Sequence, residues 1–226
     1  MAFSLERVVP WGRSLAEYQR MFALTPDDLR RRILGCADGP ASFNVEATEL
    51  GAQVISADPL YAFSSAEIRR QIEATYPTII ERVHANRDDF VWEQYATAEE
   101  MGQHRLVAME RFLTDLPAGR TRGRYVTAEL PTLPFEAGAF ELALCSNLLF
   151  LYSEQLGEKF HLDAVTELSR VAEEVRIFPL VALGGTPSRL VETVQRMIVQ
   201  RGLQAQIETV SYEFQRGGNQ MMRITR

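Results

Sequence analysis

The sequence predicts one α/β domain: a mostly parallel seven-stranded sheet with a C-terminal antiparallel hairpin and a helical insertion after the second strand. Three observations predict it. A strand-like run, a glycine turn, a helix and a second strand-like run follow one another within about 30 residues near the N-terminus, the size of a βαβ unit. Strand and helix signals alternate again from Arg124 onward. The last two strand-like runs are separated by Arg216-Gly217-Gly218-Asn219, the composition of a hairpin turn.

Taken in order, Leu15, Tyr18, Met21 and Phe22 fall at helical spacing. Thr25-Pro26-Asp27-Asp28 has a capping residue, a proline suited to the first helical position and acids for the positive end of the dipole, so a second short helix is expected there. Residues 1–31 are thus read as N-terminal helices. Arg32–Gly35 reads as a strand running into the turn Gly35–Gly39, Ala41–Leu50 as a helix stopped by Gly51, and Gln53–Asp58 as a strand ended by Pro59.

Residues 60–122 hold two or three helices where a βα unit has one, which makes them an insertion or lid. Ser64-x-x-Glu67 and Thr97-x-x-Glu100 read as capping boxes, and Pro77 is expected to kink or split the helix around it. Strands are then expected at Arg124–Thr127, Phe140–Cys145 and Val175–Val181. Helices are expected at Ser153–Glu173 and from Thr186 to Arg201, and the closing strands at Gln206–Phe214 and Gln220–Thr225.

Composition narrows the function. In 226 residues, 24 Lys and Arg stand against 30 Asp and Glu, a net charge of −6 that disfavours non-specific polyanion binding. The runs Arg30–Arg32 and Arg120–Arg124 are not interleaved with aromatics, so nucleic acid is not an expected partner. Two cysteines, Cys36 and Cys145, fit a reducing cytoplasm, and no His, Cys and carboxylate spacing suggests a metal. Met1–Arg7 does not read as a signal peptide, and no apolar run approaches about 20 residues, so no membrane partner is expected.

In an open parallel sheet the ligand sits beyond the carboxyl ends of the strands. The Gly35–Gly39 turn leaves the first strand there, and Asp58 ends the second. A carboxylate in that place can accept hydrogen bonds from both ribose hydroxyls of a nucleoside. The spacing Gly35-x-Ala37-x-Gly39 brings the third small residue one place early for a dinucleotide fingerprint, and no Gly-Lys-Ser/Thr marks a P-loop.

Ile33-Leu34-Gly35-Cys36-Ala37-Asp38-Gly39 resembles the first motif of class I S-adenosylmethionine-dependent methyltransferases, a Rossmann-like fold family. Glu129-Leu130-Pro131-Thr132-Leu133-Pro134-Phe135 resembles its third motif, and Phe140–Ser146 its fourth strand. The resemblance covers roughly 32–58 and 125–226. It implies S-adenosylmethionine as cofactor, with Asp58 on the ribose, Glu129 at the adenine amino group and the backbone of Leu130 at the ring. Gly35, Cys36, Ala37, Asp38, Gly39, Pro59, Ser146 and Asn147 would line the same site, and Arg13 would meet the methionine carboxylate. Ile33 replaces the acid usual near the end of the first strand, Ala37 replaces the middle glycine, and Asp38 is a candidate for part of the missing carboxylate's function, its side-chain direction not being readable from sequence. Asn147-Leu148-Leu149-Phe150 lacks both prolines of an Asn-Pro-Pro-Phe motif and reads as a buried connection.

The expected activity is methyl transfer to a small-molecule acceptor. The Ile33 and Ala37 replacements leave open a non-catalytic binding or scaffold protein of the same fold. A nicotinamide-dependent oxidoreductase is a third reading, against which the early glycine and terminal hairpin count.

Overall fold

The computed structural model describes residues 9–226, so the reading of Met1–Arg7 lies outside the described residues. Seven strands form one sheet: β1 (Arg32–Cys36), β2 (Gln53–Ala57), β3 (Tyr125–Val126), β4 (Phe140–Ser146), β5 (Ala172–Phe178), β6 (Gln204–Thr209) and β7 (Gln220–Thr225). Their order is β3-β2-β1-β4-β5-β7-β6, with β7 antiparallel to both β5 and β6 and the other pairs parallel. The helices are α1 (Leu15–Met21), α2 (Phe43–Glu49), α3 (Ser65–Ala85), α4 (Ala98–Thr121), α5 (Ser153–Val171) and α6 (Val191–Gln200).

The central strands are apolar on both faces, as strands covered by helices on both sides must be. Ile33, Leu142 and Leu144 pack with α1 and α2 through Tyr18, Met21, Phe22 and Phe43. Leu34, Ala143 and Cys145 face the other way, onto Ala164, Val165 and Leu168 of α5 and Val194 and Ile198 of α6. The insertion between β2 and β3 consists of α3 and α4, which close a core of Ile68, Ile72, Phe112, Leu113 and Leu116 on Tyr61 and Tyr125.

Several local readings change. The helix expected from Thr25 shrinks to a 3-10 turn, Asp28–Arg30. The Asp28 carboxylate accepts from the Thr25 amide at 2.9 Å and from the buried Arg176 guanidinium at 2.9 Å, which ties the segment to β5. Pro77 does not split its helix, since α3 runs unbroken through it over 21 residues. The helix expected from Thr186 starts at Val191, because the backbone before it folds back: Ala182 N–H donates to Thr186 O and Ser188 N–H to Leu180 O. The hairpin link is no tight turn. The pairing stops at Thr209 and Gln220, and the loop between them reaches the insertion, where Val91 N–H donates to Phe214 O at 2.7 Å.

Ser64 forms a full capping box with Glu67 at the start of α3. Thr97 caps α4 by accepting from the Glu100 amide, but the Glu100 carboxylate bonds Ala96 N–H, so that box is half made. No helix among the described residues is long and apolar enough to cross a membrane.

Candidate functional site

A cavity of about 550 Å³ opens beyond the carboxyl ends of β1, β2 and β4. Of the twelve residues singled out in the sequence, all but Gly35 line it: Arg13, Cys36, Ala37, Asp38, Gly39, Asp58, Pro59, Glu129, Leu130, Ser146 and Asn147. Gly35 serves the site from beneath. A Cβ there would lie 1.9 Å from Asp38 Oδ2, so only glycine lets the Asp38 side chain fold inward over the end of β1.

The turn is held by side chains from three elements. Asp58 Oδ2 accepts from Gly39 N–H and Oδ1 from Leu60 N–H, each at 2.8 Å. Tyr61 Oη donates to Gly39 O at 2.9 Å. Asp38 accepts from Tyr18 Oη at 2.8 Å and from Ser56 Oγ at 2.6 Å. Ala37 takes φ 58° and Gly39 φ 53°, so the turn needs two left-handed residues and only one of them is glycine.

The electrostatics of this end are acidic. Burial pushes Asp58 up to about 6, against the pull of the Leu60 and Gly39 amides, with the Glu129 charge adding to the rise. Burial pushes Asp38 up to about 7, opposed by Ser56 and Tyr18 and reinforced by Asp58. The groups acting on these two carboxylates among the described residues include no cation. Each Asp58 oxygen keeps a second acceptor position, so a vicinal diol could still be held. Glu129 stands exposed at the rim, while Leu130 is buried against the sheet.

The other end of the cavity is apolar. Trp11, Ile79, Val83, Phe90, Leu151 and Phe214 contribute to it from the N-terminal segment, α3, the α3–α4 connection, the stretch after β4 and the β6–β7 loop. The sequence reading missed Phe90 and Phe214, whose rings stack at 4.9 Å. Nothing local signals that contact, which joins residues 124 positions apart. Arg105 and Tyr212 also line the cavity, where the buried Arg105 is ion-paired with Glu17 and Tyr212 Oη donates to Glu17 at 3.1 Å.

Other candidates are set aside by their surroundings. His161 is buried in a structural role: its Nε2 accepts from Phe150 N–H at 3.0 Å and its Nδ1 lies 2.6 Å from Gly157 O, where α5 is kinked. Leu149 and Phe150 are fully buried in the core, as the buried-connection reading expects. Cys36 and Cys145 are register partners on β1 and β4, and burial raises both thiols, which makes them poor nucleophiles. The described residues include no His, Cys, Asp and Glu group that could hold a metal ion.

No family model matches the chain. It is 30% identical over 224 residues to the uncharacterized protein MJ0045 of Methanocaldococcus jannaschii, an alignment covering 99% of this chain and 98% of that one. Among solved structures, the mitomycin 7-O-methyltransferase MmcR is similar with a TM-score of 0.51 and 10% identity, over 94% of this chain and 53% of that one. The chain thus spans about half the length of MmcR. The magnesium protoporphyrin IX methyltransferase of Synechocystis PCC 6803, solved with bound S-adenosylmethionine, matches with a TM-score of 0.44 and 11% identity over 87% of this chain and 70% of that one. Sheet order, terminal hairpin and the likeness to MmcR give the fold, and the identity to MJ0045 over nearly the whole of both chains gives the family: the chain belongs to the same family as MJ0045, and its fold is the class I S-adenosylmethionine-dependent methyltransferase fold.

Proposed function

We propose that the protein is an S-adenosylmethionine-dependent methyltransferase whose acceptor is a small, largely apolar molecule. The observation that carries this reading is that one cavity is lined both by the acidic glycine turn and by aromatic and aliphatic side chains. The acidic end fits the cofactor. A Cβ built on Gly39 meets nothing within 4 Å, so the backbone offers an open surface there, and Asp58 keeps acceptor capacity for two ribose hydroxyls. Glu129 and Leu130 would flank the adenine, and Arg13 would meet the methionine carboxylate. Arg13 is suited to that, since its Nε is buried without a partner.

When bound, the cofactor supplies a methyl group already activated by the sulfonium charge. The protein's share is then positioning: holding nucleophile, methyl and sulfur in line supplies much of the acceleration. A base is needed only where the acceptor must lose a proton. The aromatic walls exclude water from the transfer, and residues 60–122 act as the lid over the acceptor end.

Isothermal titration with S-adenosylmethionine and S-adenosylhomocysteine tests the first half. Micromolar binding that weakens by about tenfold or more in Asp58→Ala is the expected result, the cost of a lost charge-assisted pair. No heat and no thermal shift at millimolar ligand rejects the reading. Incubation with labelled methyl donor and a metabolite pool tests the second half. The Ile33 and Ala37 replacements motivate the non-catalytic alternative, and labelled product would rule it out.

A further inference from the structure

Within the first strand, Ile33 stands where the family's acid is usual, and it is buried among α1 and α2 residues, unable to do that acid's work. A carboxylate packed against this same strand, over Gly35, is Asp38. It comes from the turn, folds back over Gly35 and reaches the cavity wall at the end of β1. We propose that Asp38 replaces the missing strand-end acid and gives up a proton when the positively charged methyl donor enters, so that donor binding and proton release are one event. This rests on the methyl-donor reading above.

The surroundings of Asp38 make it a proton store. Its two hydrogen-bond partners, Tyr18 Oη on α1 and Ser56 Oγ on β2, are neutral donors. The ionisable groups facing it from the packed elements are Cys36 on β1, Cys145 on β4, Tyr61 after β2 and Asp58. None of these is cationic in any protonation state. Arg13 acts on Tyr18 rather than on Asp38. The residue is only 6% exposed, so water does little to stabilise its charge. An acid so placed, raised to about 7, is about half protonated at pH 7. A cation arriving in the cavity favours the ionised form. The Asp38 O–H bond then breaks, the proton passes to buffer, and the carboxylate keeps the electron pair. Tyr18 stays protonated throughout, since burial and the Asp38 charge hold it well above its ordinary value.

The experiment is calorimetric titration of S-adenosylmethionine at pH 7.0 in two buffers of different ionisation enthalpy, with wild type and Asp38→Asn. Subtracting the variant cancels protons carried by the ligand. The expected difference is about half a proton per site, fading by pH 8.5. Adenosine, which has no cation, should show no such difference. Equal proton release from wild type and Asp38→Asn, or an Asp38-dependent release with adenosine, overturns the inference while leaving the methyl-donor reading intact. Absence of any binding to wild type removes that reading, and the inference with it. Should Asp38→Asn fail to fold, Tyr18→Phe serves. Removing a donor that lowers the Asp38 pKa should increase release at pH 7.5, and unchanged release overturns the inference.

Discussion

Gly35 and Asp38 form one steric unit, because the carboxylate of one occupies the space where a side chain on the other would be. Gly35→Ala should therefore expel Asp38 from its Tyr18 and Ser56 hydrogen bonds and lower stability by about 1–3 kcal/mol, measured by urea unfolding. The same residue makes a prediction about pH. Asp38 binds its proton more tightly in the folded chain than in the unfolded one, from 3.8 to about 7. Its contribution to stability is thus present below pH 4 and declines as pH rises toward 7, by at most about 1.4 kcal/mol per unit. Wild-type stability minus that of Asp38→Asn should fall between pH 5 and 7 and level off above pH 8. A flat difference across urea curves in that range would show that Asp38 is not a buried, proton-holding acid. Which residues belong to the turn was legible in the sequence, because glycines and a strand-end acid have local spacing. Whether Asp38 points inward was not, since a side chain's direction depends on Tyr18 and Ser56, which are 20 and 18 positions away.

Among the elements, those with chemical punctuation were the legible ones. Ser64 and Glu67 mark the start of α3, and the reciprocal bonds are made: Ser64 N–H donates to Glu67 Oε2 at 2.8 Å and Glu67 N–H to Ser64 Oγ at 3.3 Å. Ser64→Ala should cost about 1 kcal/mol, readable as a lower denaturation midpoint. Donor binding should be unchanged, because Ser64 is exposed and does not line the cavity. Thr186-Pro187 likewise offers a capping residue followed by a proline suited to the first helical position, yet α6 starts at Val191. There the backbone groups that a helix would use are spent on the fold-back of Ala182 and Ser188. Pro77 likewise carries a breaking signal that packing overrides, with Ile72 and Ile79 buried on either side of it in the one helix.

Across the whole molecule, the buried Glu17–Arg105 pair joins α1 to α4, and Tyr212 ties the β6–β7 loop to the same carboxylate. Arg105→Ala leaves Glu17 buried without its partner and should cost about 3–5 kcal/mol in chemical denaturation. Pairing it with Glu17→Gln should recover part of that loss. Burial alone would raise Glu17, but the charges of Arg105 and Arg13 and the Ser14 amide bring it down to about 2. Its contribution is present above pH 4.5 and lost as pH falls toward 2, so wild type should lose more stability over that range than the double variant. The sequence by itself determined the strand and helix order, the terminal hairpin and the place of the glycine turn opposite Asp58. Those follow from periodicity and from residues with restricted backbones, which act over a few positions. Only the tertiary structure decided that Asp38 lies over Gly35, that Phe90 meets Phe214, and that the insertion closes an apolar end onto the acidic one. Such contacts join distant segments through shape and burial, and no local pattern records which surfaces will meet.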